Sequence, residues 1–149
     1  MPVILIASDA PWVLDEVGSV LAGPDTTLQA VRSGYDVRAA VEEIEPDLVI
    51  LDLQIGNMGG FAACFDLRLE EGAERAKRVQ VLLLLDRRAD VFLARRSRSD
   101  GWLLKPLDPI RLRRAVQEVL AGRGYEDASY LPNPVAVPPA SVTLHDNGK

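Results

Sequence analysis

The chain has 149 residues, of which 48% are hydrophobic and 26% charged, and its net charge is −5. This length is typical of one globular domain, and the acidic balance gives no general reason to expect binding to nucleic acid or to an anionic membrane. A single cysteine and a single histidine exclude a disulfide framework and a Cys- or His-rich metal site. The first apolar run, residues 3–7, is too short for a signal peptide, and no apolar run approaches about 20 residues, so we expect a cytoplasmic protein with no membrane partner.

Short apolar runs alternate with amphipathic helical patterns along residues 1–121. The predicted strands are 3–7, 27–31, 48–51, 79–85 and 102–104. The predicted helices are 11–22, 36–45, 61–71, 90–98 and 107–120. Strict alternation of this kind is typical of a parallel sheet covered by helices on both faces. We therefore expect an α/β domain with a doubly wound, five-stranded parallel sheet over residues 1–121.

The composition changes from Gly122 onward. Four prolines lie among small and polar residues without an apolar period: Pro132, Pro134, Pro138 and Pro139. A segment of this kind cannot bury enough apolar surface to fold alone. Residues 122–149 are therefore predicted to be a Pro-rich, disordered tail, and they are too few to make a second domain.

The carboxyl ends of the predicted strands carry the chemistry. Ligands of open parallel sheets bind at these ends, near the point where the strand order reverses. The candidates, with the apolar residue that ends the fourth strand, are Ser8, Asp9, Asp52, Leu85, Asp86 and Lys105. Two carboxylates about 4 Å apart repel each other by about 4 kcal/mol at an effective dielectric of 20 and need a cation, for which Mg²⁺ is suited. Beside them, Lys105 could hold a phosphoryl oxygen, so the pattern favours acyl-phosphate formation on Asp52.

Each of these residues also has a simpler interpretation when it is taken alone. Asp9 could cap the first helix, Asp52 could be an ordinary loop acid, and Lys105 could be a solvated lysine. Their joint position at the ends of the first, third and fifth strands favours the functional interpretation.

Four segments of the chain carry a recognisable pattern. They are Asp9 with Pro11 after the first strand, residues 46–53 (PDLVILDL), Gly60-Phe61, and residues 102–106 (WLLKP). Together they resemble the receiver domain of bacterial two-component response regulators, over nearly all of residues 1–121. The resemblance implies a flavodoxin-like (βα)5 fold with strand order 2-1-3-4-5, in an atypical, single-domain member of the family.

The resemblance also implies roles for particular residues. Asp52 becomes the phosphoacceptor, served by a histidine kinase or a phosphotransferase, and Lys105 the reporter of the phosphoryl group. Asp9, Asp52 and the backbone carbonyl of Gln54 become Mg²⁺ ligands, and the peptide before Pro106 is expected to be cis. The chain is then a signalling domain and not an enzyme, apart from its own phosphorylation and dephosphorylation.

The strand ends depart from the family pattern at two positions. Ser8 stands where the family usually has a second acid, which should weaken Mg²⁺ binding. Leu85 stands where receivers carry a Ser or Thr, and no hydroxyl residue occurs between Asn57 and Arg96. A hydrogen bond to a charged oxygen contributes about 1.5–3 kcal/mol, whereas full switching of a two-state protein takes about 5.5 kcal/mol. We therefore expect that Asp52 can still be phosphorylated, but that the conformational response to the phosphoryl group is weak or follows a different route.

The partner surface is predicted on the fourth helix, fifth strand and fifth helix. Nine of the 17 basic residues lie between residues 87 and 114, around these elements: Arg87, Arg88, Arg95, Arg96, Arg98, Lys105, Arg111, Arg113 and Arg114. They fit an acidic protein partner or a second copy of the chain, although solvated arginines are the simpler interpretation. Nucleic acid is disfavoured because the arginines are not interleaved with aromatic residues. Trp102 is either the aromatic switch residue of this surface or a strand aromatic.

Two alternatives remain open at this point. The first is a pseudo-receiver, a binding module with the same fold that works without phosphorylation. The second is an aspartyl-phosphate phosphatase or transferase, against which Gln54 argues because that class carries a second Asp two residues after the nucleophile.

Overall fold

A computed structural model describes residues 1–130 of the chain. The strands are β1 (Val3–Ala7), β2 (Thr27–Val31), β3 (Leu48–Asp52), β4 (Gln80–Leu85), β5 (Gly101–Leu104) and β6 (Tyr125–Glu126). The α-helices are α1 (Pro11–Leu21), α2 (Val37–Ile44), α3 (Gly60–Gly72), α4 (Asp90–Arg96) and α5 (Pro109–Leu120). Short 3-10 turns lie at Gly34–Asp36 and Ala128–Tyr130. None of the helices within residues 1–130 has the length and apolarity needed to cross a lipid bilayer.

The strands form one parallel sheet in the order β2-β1-β3-β4-β5-β6. The predicted doubly wound α/β fold and the order 2-1-3-4-5 are confirmed, and β6 extends the sheet beyond them. β1 lies between β2 and β3, so the strand order reverses beside β1. The ends of β1 and β3 are adjacent, with Ala7 paired to Leu51, which brings the residues that follow β1 next to Asp52.

The sheet is buried on both faces. One core layer lies under α2, α3 and α4, and the other under α1 and α5. All five residues of β3 are buried, because a central parallel strand is covered by helices on both sides. Cys64 of α3 is fully buried in the first layer, and this burial raises the pKa of its thiol. It is therefore a packing residue and not a reactive thiolate.

A proline, a side-chain cap and a residue with positive φ mark three of the helix boundaries. α1 begins with Pro11, which suits the first helical turn because that position has no intrahelical use for an N–H. The predicted start of α5 at residue 107 was two residues early, since the Asp108 side chain caps the helix by accepting a hydrogen bond from the Ile110 N–H. The predicted end of α4 was two residues late: the helix ends at Arg96, and Arg98 has a positive φ of 63°.

The structure corrects the predicted domain boundary at residue 121. After α5 the chain runs back along β5, where Tyr125 and Glu126 form a parallel sixth strand beside Gly101 and Trp102. Residues 122–130 therefore belong to the domain and are not a disordered tail. Composition gave no sign of this because the strand has only two residues and brings a single apolar side chain, Tyr125, to the core. Residues 131–149, which include the four prolines, lie outside the described residues.

Candidate functional site

Asp52 is the last residue of β3 and lies at the centre of the predicted site, with 1% of its surface exposed. Its Oδ1 accepts hydrogen bonds from the Lys105 Nζ at 2.6 Å and from the Gln54 backbone N–H at 3.0 Å. Its Oδ2 accepts a hydrogen bond from the Ser8 Oγ at 2.7 Å. Three donors from three segments of the chain therefore fix this carboxylate, and the Lys105 ammonium compensates its charge.

Ser8 follows β1 directly and is fully buried. Besides donating to Asp52, its Oγ accepts a hydrogen bond from the Ala10 N–H at 3.1 Å. The sequence marked Ser8 as the position of a missing acid, and the structure puts its hydroxyl in direct contact with the Asp52 carboxylate. A neutral donor here removes the charge repulsion that an acid at this position would bring.

Asp9 is exposed beside the loop that follows Asp52. Its Oδ2 accepts a hydrogen bond from the Gly56 N–H at 3.0 Å, and a Cβ at Gly56 would lie 2.9 Å from the same oxygen. The simpler interpretation of Asp9 as a helix cap does not hold, since α1 begins after Ala10 with no side-chain cap. Asp9 thus ties the end of β1 to the loop that follows β3.

Lys105 follows β5 and joins two carboxylates. Its Nζ lies 2.6 Å from the Asp52 Oδ1 and 3.0 Å from the Asp86 Oδ1. The ammonium also lies 5.7 Å from the ring centroid of Trp12, which is about half exposed. The peptide between Lys105 and Pro106 is cis, as the resemblance implied.

Asp86 is a site residue to which the sequence assigned no role. Its Oδ1 accepts a hydrogen bond from Lys105, and its Oδ2 is buried without a hydrogen-bond partner among residues 1–130. An acid directly after a buried strand is the same signal that identified Asp52. The sequence places Asp86 at the end of the fourth strand, but the role there was assigned to the position of Leu85.

Leu85 ends β4 beside the site but contributes no polar side chain to it. Its carbonyl accepts a hydrogen bond from the Lys105 backbone N–H at 2.9 Å, while its side chain is fully buried in the core. A phosphoryl group on Asp52 would therefore find no hydroxyl at this position.

Trp102 lies within β5 with only 3% of its surface exposed. Its indole Nε1 is buried without a hydrogen-bond partner in the described part of the chain, and the Arg95 guanidinium lies 5.7 Å from its ring centroid. The side chain is thus packed inward, beneath the basic surface of α4.

The family comparison supports this picture. Residues 4–117 match the family described as the response regulator receiver domain. The DNA-binding response regulator MtrA of Mycolicibacterium smegmatis is 30% identical over 128 residues, which cover 86% of this chain and 54% of MtrA. The nitrate/nitrite response regulator NarL of Escherichia coli is 30% identical over 121 residues, which cover 80% of this chain and 55% of NarL. The chain thus spans about half the length of the curated relatives it matches.

Solved structures of the same fold agree with the topology. A two-component response regulator of the LuxR family from Aurantimonas superposes with a TM-score of 0.74 at 23% identity, covering 87% of this chain and 92% of that one. The chemotaxis response regulator CheY4 of Vibrio cholerae superposes with a TM-score of 0.70 at 21% identity, covering 80% and 98%. At these identities the likeness shows the fold alone.

Proposed function

This chain belongs to the response regulator receiver domain family, and from that membership we propose that it takes up a phosphoryl group on Asp52 from a histidine kinase or a phosphotransferase. The observation that carries the proposal is the Asp52 carboxylate itself, which ends the central strand and is held by the Lys105 ammonium at 2.6 Å. The proposal includes the cytoplasmic location predicted from the sequence.

The proposed reaction transfers a phosphoryl group between two protein side chains. One Asp52 oxygen attacks the phosphorus of a phosphohistidine, the P–N bond breaks, and the imidazole leaves with the bonding electron pair and takes up a proton. The product is an acyl phosphate on Asp52. Lys105 already lies against the carboxylate, so its ammonium can pair with a phosphoryl oxygen as a point charge without a long movement.

We assign Mg²⁺ binding to Asp9, Asp52 and the Gln54 backbone carbonyl. All three supply hard oxygen donors, and Asp9 and Gln54 are exposed residues, so the donor set fits a cation that keeps several waters. A bound Mg²⁺ would neutralise phosphoryl oxygens next to the carboxylate. Within residues 1–130 there is no group of three acidic, His or Cys side chains arranged to hold a metal ion. Because Ser8 replaces an acid, we expect the affinity for Mg²⁺ to be low.

The proposed output is a protein–protein contact with a weak conformational response. Leu85 supplies no hydroxyl to a phosphoryl oxygen, so a contribution of about 1.5–3 kcal/mol to switching is missing. The output surface we propose is that of α4, β5 and α5, where the basic residues are concentrated. DNA binding belongs to the named relatives, and it is not proposed for this chain.

A second candidate is a binding module that works without phosphorylation. It is favoured by the closed arrangement around Asp52, in which Ser8 and Lys105 each occupy a carboxylate oxygen and Asp86 adds a second negative charge at Lys105. In this alternative the domain binds its partner in the state that the structure describes.

Intact mass measurement separates the two candidates. The full chain is incubated with acetyl phosphate and Mg²⁺ beside its Asp52→Asn variant and a control, Asp15→Asn, which removes an exposed acid of α1. We expect one added phosphoryl group in the wild type and the control and none in Asp52→Asn. If no group is added at any Mg²⁺ concentration, the phosphoacceptor proposal fails and the binding module is favoured.

A further inference from the structure

The segment after α5 covers the open edge of β5. The Tyr125 N–H donates to the Asp100 carbonyl at 3.1 Å, and the Asp127 N–H donates to the Trp102 carbonyl at 3.2 Å. Without this segment, β5 would be the last strand of the sheet and would expose these groups. Exposed strand edges of this kind are templates for pairing with another chain.

Asp127 completes the edge with its side chain. Its Oδ2 accepts hydrogen bonds from the Leu104 backbone N–H at 2.8 Å and from the Arg111 guanidinium at 2.6 Å, and its Oδ1 accepts one from the Ser129 N–H at 2.9 Å. Burial acts to raise the pKa of Asp127, but the hydrogen bonds from Leu104 and Ser129 and the charge of Arg111 outweigh it and lower the pKa. The carboxylate is therefore held in its charged form at 1% exposure.

The edge is shaped for an extended backbone with two adjacent acids. A Cβ at Gly101 would lie 2.6 Å from the Tyr125 carbonyl oxygen, so only glycine lets a strand approach here. The two acids of the segment each face an arginine of the basic surface. Glu126 lies 3.8 Å from Arg95, and Asp127 lies 2.6 Å from Arg111.

The segment is short and follows flexible positions. The strand has two residues, and Gly122 and Gly124 precede it with positive φ angles of 81° and 77°. Asp127 is its one fully buried side chain; Tyr125 is partly buried against the core under α1 and α5, and Glu126 and Ser129 are exposed. Local opening of such a segment should therefore be far easier than unfolding of the domain.

We propose that the β5 edge, with Arg95 and Arg111, is a docking site for an extended acidic segment of a partner protein, and that residues 125–129 occupy it until the partner displaces them. In this mode of binding the partner adds a strand to the sheet. Main-chain hydrogen bonds to β5 supply the affinity, and Arg95 and Arg111 supply the preference for acidic side chains. This inference rests on the proposed function, because the partner it describes is the one that would bind the proposed output surface.

A synthetic peptide with the sequence of residues 122–130 tests the site in trans. It is added at about millimolar concentration, the range of effective concentrations for tethered segments, to ¹⁵N-labelled full-length wild type and Asp127→Ala. In Asp127→Ala the edge is vacated, so we expect the peptide to shift the amide signals of Leu104 and Trp102 towards their wild-type positions. We expect at least about fivefold smaller shifts in the wild type, whose edge is occupied. A peptide with Ala in place of its own Asp127 should not shift these signals.

Two outcomes overturn the docking site: no shift of the Leu104 signal in folded Asp127→Ala, or equal shifts in wild type and variant. If Asp127→Ala does not fold, Glu126→Lys serves instead, since this exposed substitution weakens the contact with Arg95 without burying a new group. Intact mass after acetyl phosphate treatment is measured on the same samples. A variant that gains the phosphoryl group but ignores the peptide refutes the docking site alone, and the reverse result refutes the phosphoacceptor alone.

Discussion

At the scale of single residues, Asp86 sets the charge around Asp52. It shares Lys105 with Asp52, so a phosphoryl group on Asp52 would meet a second acid and a lysine that is partly engaged. Repulsion between Asp86 and a phosphoryl group about 4–6 Å away amounts to a few kcal/mol at an effective dielectric of about 20, and to less where solvent screens the two charges. Asp86 thus adds negative charge beside Asp52 and offsets part of the positive charge that Lys105 supplies.

Asp86→Ala should therefore speed phosphorylation. We expect the rate of phosphoryl uptake from acetyl phosphate to rise about three- to tenfold, which corresponds to about 1 kcal/mol. Time-resolved intact mass gives the rate, and Asp15→Ala provides the control. An unchanged or slower rate in Asp86→Ala would mean that Asp86 helps to position Lys105 and does not oppose the reaction.

Leu85 is fully buried at the position where the family pattern has a Ser or Thr. Leu85→Thr should lower the free energy of unfolding by about 2–4 kcal/mol, because it removes buried methyl groups and leaves a hydroxyl in an apolar layer. Urea unfolding followed by circular dichroism measures the change. The matched control is Leu69→Thr, a position 68% exposed on α3, where the cost should stay below about 1 kcal/mol. Equal costs at the two positions would contradict the packing described.

Sequence reasoning found the residues at the strand ends because parallel topology brings them to one edge. Asp52, Lys105 and Ser8 meet in the structure as that rule requires. The rule does not reveal which hydrogen bonds form, and so the donation from Ser8 to Asp52 was not foreseen. Asp127 carried no signal, because its role depends on a two-residue strand that no periodicity can predict.

At the scale of elements, β6 depends on one buried carboxylate. The pKa of Asp127 is lower in the folded chain than in the unfolded chain, so its contribution to stability is fully present above the unfolded value of about 4 and is lost as the pH falls through the folded value. Asp127→Asn should accordingly be less stable than the wild type at pH 7, and the difference should shrink as the pH falls below about 4. Urea midpoints across this range measure it. A difference that is independent of pH would show that the charge of Asp127 contributes nothing.

Arg68 joins α3 to the amino-terminal ends of β4 and β5. Its guanidinium contacts Glu71 and Asp100 at 2.9 and 2.8 Å, and its side chain is 7% exposed. Arg68→Ala should cost about 3–5 kcal/mol of unfolding free energy, because it removes a buried guanidinium, leaves Glu71 without its arginine and leaves Asp100 with Arg78 alone. Arg75→Ala, which breaks an exposed ion pair with Glu70, should cost less than about 1 kcal/mol. Similar losses in both variants, measured by urea unfolding, would contradict a special role for Arg68.

Element positions followed from the sequence where prolines, glycines and apolar runs mark them. The second strand was predicted with the bounds that the structure gives, and α1 begins at the predicted Pro11. The end of α4 and the start of α5 were each misplaced by two residues. The first lies near Arg98, which has a positive φ, and the second depends on the Asp108 cap. Arg68 was not singled out, since nothing in a helical sequence separates a buried arginine from a solvated one.

At the scale of the whole molecule, the alternation of strands and helices predicted the fold, while the covering of the β5 edge required the structure. The sequence located the basic surface of α4, β5 and α5, but it placed residues 122–130 in a tail. In the structure these residues lie on β5, and their two acids face two of the arginines. The region where a partner was expected is thus already occupied by the chain's own acidic segment.

The phosphoacceptor assignment is tested most directly by chemical mapping. The full chain is treated with acetyl phosphate and Mg²⁺, the acyl phosphate is reduced with borohydride, and the reduced side chain is located by peptide mass spectrometry. We predict reduction at position 52 and at no other acid, and only after treatment with the phosphodonor. Reduction at Asp9 or Asp86, or none at all, would contradict the assignment of Asp52 as the phosphoacceptor.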